Sequence, residues 1–83
     1  MNPDLRKIDD AVLALLHLTS FTEEKNDPAI ARAWKGHDWE TLDRLHEKGL
    51  ISDPKNKNKS VVFTEEGRQQ AKELFRRLFC ENT

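Results

Sequence analysis

Apolar residues along this chain recur at helical spacing between well-formed polar stops. Leu5, Ile8, Val12, Leu15 and Leu16 follow the i, i+3, i+4 rule, the mark of one helix face. Asn2 is a cap candidate. Pro3 suits the first helical position, because the N–H it lacks would find no partner there, and Asp4 sits where the helix dipole favours an acid. The pattern predicts a helix over residues 3–19. Leu13 and Leu18 fall outside the main stripe on opposite sides and widen the apolar arc to roughly 220°, against the ~100° a surface helix needs. Such a helix is either the centre of a small domain, contacted on two sides, or one flank of a homodimer seam.

After the polar stretch Ser20–Asp27, a second helix is predicted over 28–35. Asp27 is its cap candidate, Pro28 takes the first helical position and Gly36 ends it. Ile30, Ala33 and Trp34 then share a face. A third helix is predicted over 38–48, capped by Asp38 and stopped by Gly49, with Trp39, Leu42, Leu45 and His46 inward and Glu40, Asp43, Arg44 and Glu47 outward. The short Gly36-His37 joint gives this pair the shape of a helix-turn-helix. Leu50-Ile51-Ser52 and the β-branched run Ser60-Val61-Val62-Phe63 flank the turn-rich Asp53-Pro54-Lys55-Asn56-Lys57-Asn58-Lys59. They read as a hairpin over about 50–63 with a long polar tip. Thr64 caps a last helix over 65–80, whose stripe is Ala71, Leu74, Phe75, Leu78 and Phe79. The expected fold is α+β, mainly α, in one domain spanning 1–83: helix, helix, helix, strand, strand, helix.

That order is the winged-helix plan. The string Leu42-Asp-Arg-Leu-His-Glu-Lys-Gly-Leu-Ile51, a polar hairpin and then Val61-Val-Phe-Thr-Glu-Glu-Gly67 resembles the second half of MarR-type and PadR-type winged-helix regulators, over about residues 38–79. Phe63-Thr64 stands where those families usually carry Leu-Thr. Over nearly the whole chain, Ile8-Asp-Asp-Ala-Val-Leu-Ala-Leu-Leu16, Arg32-Ala-Trp-Lys-Gly36, Trp39 and the same Leu42–Ile51 string also look like a small bacterial family known only as a domain of unknown function. The first resemblance implies a DNA-binding regulator; the second implies a bacterial source and no particular activity.

Composition narrows the field. The chain has 83 residues, 14 basic against 15 acidic, for a net charge of −1, so it is not the usual strongly basic nucleic-acid binder. No apolar run nears the ~20 residues of a membrane span. The polar, acidic start is not that of a signal peptide. A lone Cys80 fits a reducing compartment, so a cytoplasmic location is expected, without membrane association. No CxxC, HExxH or glycine-rich phosphate loop is present, and no two of His17, His37 and His46 share a helix at i, i+3 or i+4. Neither metal, cofactor nor enzymatic activity is expected.

The neutral total hides a polarised chain. Residues 1–54 carry 7 basic and 11 acidic side chains, a net of −4; residues 55–83 carry 7 and 4, a net of +3. Lys55, Lys57 and Lys59, with Arg44, are therefore candidate phosphate contacts in a DNA complex. Alternatively, the lysines simply keep an exposed hairpin from pairing at its edge. The acids of the third helix work against major-groove insertion, because phosphate neutralisation supplies most of the affinity. Trp34 and Trp39 either wedge the second and third helices together or expose an anchor for a protein partner. The expected function is a small DNA-binding or transcription-associated regulator that touches DNA through its wing; the alternative is a protein-interaction or dimerisation module, without DNA, with Leu13, Leu18 and Trp34 as candidate contacts.

Overall fold

A computed structural model describes residues 1–22 and 30–81. In chain order it contains α1 (Leu5–Leu18), β1 (Arg32–Trp34), α2 (Trp39–Glu47), β2 (Ser60–Val62) and α3 (Glu65–Phe79). It is α+β and mainly helical, with three helices and a two-stranded antiparallel sheet. The buried apolar side chains form one cluster. Leu13, Ala14 and Leu16 enter it from α1, Leu42 and Leu45 from α2, Ala71 and Leu74 from α3, and Ala33 and Val61 from the sheet.

Each helix begins where a side chain can bond the free N–H groups of its first turn. Asp4, rather than Asn2, caps α1, its Oδ1 accepting from the Arg6 and Lys7 N–H groups at 3.1 and 3.3 Å. Asp38 caps α2 through Oδ2, which accepts from the Thr41 N–H at 3.1 Å and from its hydroxyl at 2.9 Å. At the far end of α2, Gly49 takes φ 75°. The Leu50 N–H then reaches the Leu45 carbonyl and the Gly49 N–H that of His46, closing the helix in the Schellman manner and steering Leu50 into the core. Thr64 caps α3 by accepting from the Gly67 N–H at 2.9 Å and donates its hydroxyl to the Gly49 carbonyl at 2.7 Å. Gly67 lies so close to the backbone of Leu50 that a Cβ there would overlap the Leu50 carbonyl. This is the tightest join between the end of α2 and the start of α3.

The expected helix over 28–35 is not formed in its described part. Residues 30–35 run extended, with β1 at their centre; Asp27, Pro28 and Ala29 lie outside the described residues. Ala31 and Ala33 are buried while Ile30, Arg32 and Trp34 face outward, which is the period of a strand. The alanine-rich string favours a helix locally, but tertiary pairing overrides a weak propensity. Arg32, Ala33 and Trp34 stand opposite Val62, Val61 and Ser60. The Arg32 N–H and carbonyl also bond Phe21 on the other side, both at 2.9 Å. With the helix goes the expected helix-turn-helix pair, and Trp34 and Trp39 wedge no helices together: both are more than half exposed. The expected hairpin does close. Ile51 bridges Phe63, the Ser52 N–H bonds the Val62 carbonyl, and the Thr64 N–H bonds that of Leu50.

Helix α1 is gripped on two sides, but not along the expected stripe. Its core face is Asp9, Leu13 and Leu16, with Ala14 buried on another side. Leu5 and Ile8, read as inward, lie exposed. Against α3, the His17 ring meets Phe75 at 5.3 Å, while Lys7, Asp10 and Ala11 meet Leu78 and Phe79 further along.

Candidate functional site

Two surfaces carry the exposed candidates Lys55, Lys57, Lys59 and Leu18. The first is the outer side of α2 with the neighbouring loop 53–59. Asp53 organises that loop, its Oδ1 accepting from the Lys55 N–H at 2.8 Å and its carbonyl from the Asn56 amide at 2.9 Å. Lys35, following β1, donates to the Asn56 carbonyl and side chain at 3.2 and 2.9 Å and pins the loop from outside. Lys55, Lys57 and Lys59 are all exposed. Lys55 lies 3.7 Å from the carboxylate of Asp43 on α2, so one of the three cations already faces an acid. Glu40 and Glu47 stand exposed on the same helix.

Arg44 does not extend toward this surface as an unengaged cation. Its Nε donates to Asp9 Oδ1 at 2.9 Å, and its Nη2 lies 2.8 Å from the same oxygen and 3.0 Å from the Thr41 hydroxyl. Lys48, one turn on, holds Asp9 Oδ2 at 2.7 Å. Asp9 is 2% exposed, and burial alone would push its pKa up. The hydrogen bonds and charges of Arg44 and Lys48 outweigh burial and hold it below the ordinary carboxylate value. The hydrogen bond to Asp9 in turn raises the Arg44 guanidinium. Asp9 of α1, Arg44 of α2 and Lys48 just past the end of α2 thus form a clamp between the two helices, with the acid buried and the cations at the rim. The sequence reading missed Asp9. Its signal is an acid on the same face as Leu13 and Leu16, with Arg44 and Lys48 spaced i, i+4 to receive it.

The second surface is apolar. The candidate contact Leu13 is not on it: at 1% exposure it is core, packed inward from the middle of α1. Leu18 and Trp34 do face solvent, but Trp34 lies on the sheet, its ring 5.0 Å from that of Phe21. Leu18 shares α1 with the exposed Leu5 and Ile8, and Leu78 and Phe79 at the end of α3 are exposed beside Lys7, Asp10 and Ala11.

The histidines do not converge. His17 packs on Phe75, His46 places Nδ1 3.0 Å from the Ile51 carbonyl oxygen, and His37 sits half-buried ahead of α2. Among the described residues, no group of three or more His, Cys, Asp or Glu could hold a metal, and no helix is long and apolar enough to cross a membrane.

The chain matches the family described as "Domain of unknown function (DUF6429)" over residues 4–81. It is 60% identical over 79 residues to "Uncharacterized protein y4hR" of Sinorhizobium fredii (strain NBRC 101917 / NGR234), an alignment covering 95% of this chain and 97% of the relative. No solved structure matches it.

Proposed function

The chain belongs to this family of unknown function, and we propose that it is a small protein-interaction module, without catalytic activity, that docks through the exposed apolar face of α1 and the end of α3. The observation that carries this reading is the exposure of Leu5, Ile8 and Leu18 on α1 and of Leu78 and Phe79 at the end of α3, the last two beside Ala11 of α1. Large apolar side chains gathered on one face of a small domain mark docking surfaces, whereas scattered ones need no explanation.

We read the layout as a reduced winged helix, with α2 in the place of the third helix and the hairpin closed by Ile51 and Phe63 as the wing. Readout of DNA by α2 is disfavoured on this reading. Its outer face presents Glu40, Asp43 and Glu47, and Asp9 engages its cations Arg44 and Lys48. A second reading rests on Lys57 and Lys59, which stand exposed on the wing and would give weak, sequence-blind attraction to phosphates.

Titration of a mixed-sequence duplex, followed by fluorescence anisotropy at ~50 mM salt, tests the choice where electrostatic attraction is strong. The module reading predicts no saturable binding at micromolar protein. Saturable binding that falls steeply with salt, and is lost in Lys57→Glu/Lys59→Glu, would establish the wing reading instead.

A further inference from the structure

The same exposed face of α1 carries a second pattern that points to its occupant. Ile8, Ala11, Leu15 and Leu18 are spaced three, four and three residues apart, the spacing of the apolar seam between two helices in a coiled coil. The core of the chain does not use this seam. Asp9, Leu13, Ala14 and Leu16 are the buried positions of α1, while Ile8 is 36% and Leu18 60% exposed and Ala11 and Leu15 are half-buried. Leu5 flanks the seam at its start. Leu78 and Phe79, each 51% exposed, continue it onto α3 beyond Ala11.

We infer that this seam pairs with the same seam of a second copy of the chain, forming a two-fold homodimer through α1. The inference rests on the reading of this face as a docking surface and names what docks there.

Three features select a second copy. The seam has the periodicity of a helix face, and α1 of a second copy presents the same spacing, with Ile8 and Leu18 as its most exposed positions. Its border carries both charge signs, Lys7 and Asp10, so two copies related by a two-fold axis meet without a net like-charge clash. A strongly acidic or basic partner would face one repulsive group. The five exposed apolar side chains leave on the order of 500 Å² in water, about the size of the largest apolar patch on a typical monomer, a patch that is often functional. With a polar rim it approaches the ~800 Å² each partner contributes to a standard interface. Two-fold closure then covers the patch on both chains and leaves none over to propagate a filament.

Sedimentation velocity of the full chain over ~1–200 µM tests this, a range in which self-association is governed by mass action. The expected species at the upper end has twice the 9.7 kDa of the chain. Ile8→Glu and Leu18→Glu each weaken dimerisation at least about ten-fold while keeping the helical circular dichroism of the parent. Leu18→Glu is the safer variant, because Leu18 is the more exposed. Lys57→Glu on the wing leaves the dimer intact. Monomer at every concentration, or a dimer that survives both seam variants, overturns the homodimer. The first outcome overturns the homodimer alone; the docking reading is overturned separately, by salt-sensitive duplex binding that is lost in Lys57→Glu/Lys59→Glu.

Discussion

At the scale of single residues, Asp9 matters most, because it is a buried carboxylate whose two oxygens are held by cations from another helix. Removing one member of a buried ion pair leaves the others without their partner, and the cost follows from that stranded charge more than from the lost attraction. Asp9→Asn should therefore destabilise the fold by about 2–3 kcal/mol, less than for a fully buried pair because Arg44 and Lys48 reach solvent. Chemical denaturation at neutral pH measures this directly. The pH dependence has a definite sign. Asp9 is held below its ordinary value of 3.8 in the folded chain, so the unfolded chain takes up its proton first. Its contribution is present at neutral pH and is lost as the pH falls below ordinary carboxylate values, through the lower folded value. Wild type should lose stability faster than Asp9→Asn over roughly pH 5 to 3; parallel curves would show that the clamp contributes nothing. Much at this scale was legible from the sequence, since Asp38, Thr64 and Gly49 perform the terminal roles that their types and positions announce. Asp9 was less so, because an acid on a helix ordinarily reads as solvated, and its partners stand 35 and 39 residues away.

At the scale of elements, local and tertiary preferences part company over residues 30–35. Ala31-Arg32-Ala33-Trp34 satisfies a helical stripe as readily as a strand, and the punctuation by Pro28 and Gly36 favours the helix. What decides for a strand is that β2 offers backbone partners to Arg32, Ala33 and Trp34 and that the alternation this imposes buries Ala31 and Ala33 in the core. None of this is local, so none of it could be read along the chain. The hairpin and α3 were legible because their signals are local: β-branched composition, turn formers, a cap. In α1 the spacing correctly announced a helix with too much apolar surface for one contact, but not which part of the arc faces the core. Leu13 rather than Ile8 turned out to be inside, on the same face as Asp9, which is bonded to Arg44 and Lys48. Tryptophan fluorescence separates the two arrangements. With Trp34 outward on β1 and Trp39 at the start of α2, emission should be that of solvated indole and both rings should be open to iodide quenching. Blue-shifted emission with a quench-resistant fraction would instead indicate a packed helix pair wedged by the tryptophans.

At the scale of the whole molecule, the near-zero charge conceals an acidic portion and a basic one, and the fold determines what each is used for. Several acids of the first portion lie along α2, where they would oppose a polyanion. Within the same portion Asp9 holds Arg44 and Lys48, and Asp43 draws in Lys55 from the basic one. That leaves the wing as a modest basic spot, and the α1–α3 face as the surface with large apolar side chains gathered in water. The proposed docking surface therefore lies on α1 and α3, away from α2. Backbone amide NMR spectra of the uniformly labelled chain, recorded on dilution and again with added duplex, test that most directly. Docking through α1 and α3 gives concentration-dependent shifts at Ile8, Ala11, Leu15, Leu18, Leu78 and Phe79, with the amides of α2 and the wing unmoved in either series. Shifts confined to Glu40, Asp43, Glu47 and Lys55–Lys59 on adding duplex, with α1 indifferent to dilution, would contradict it.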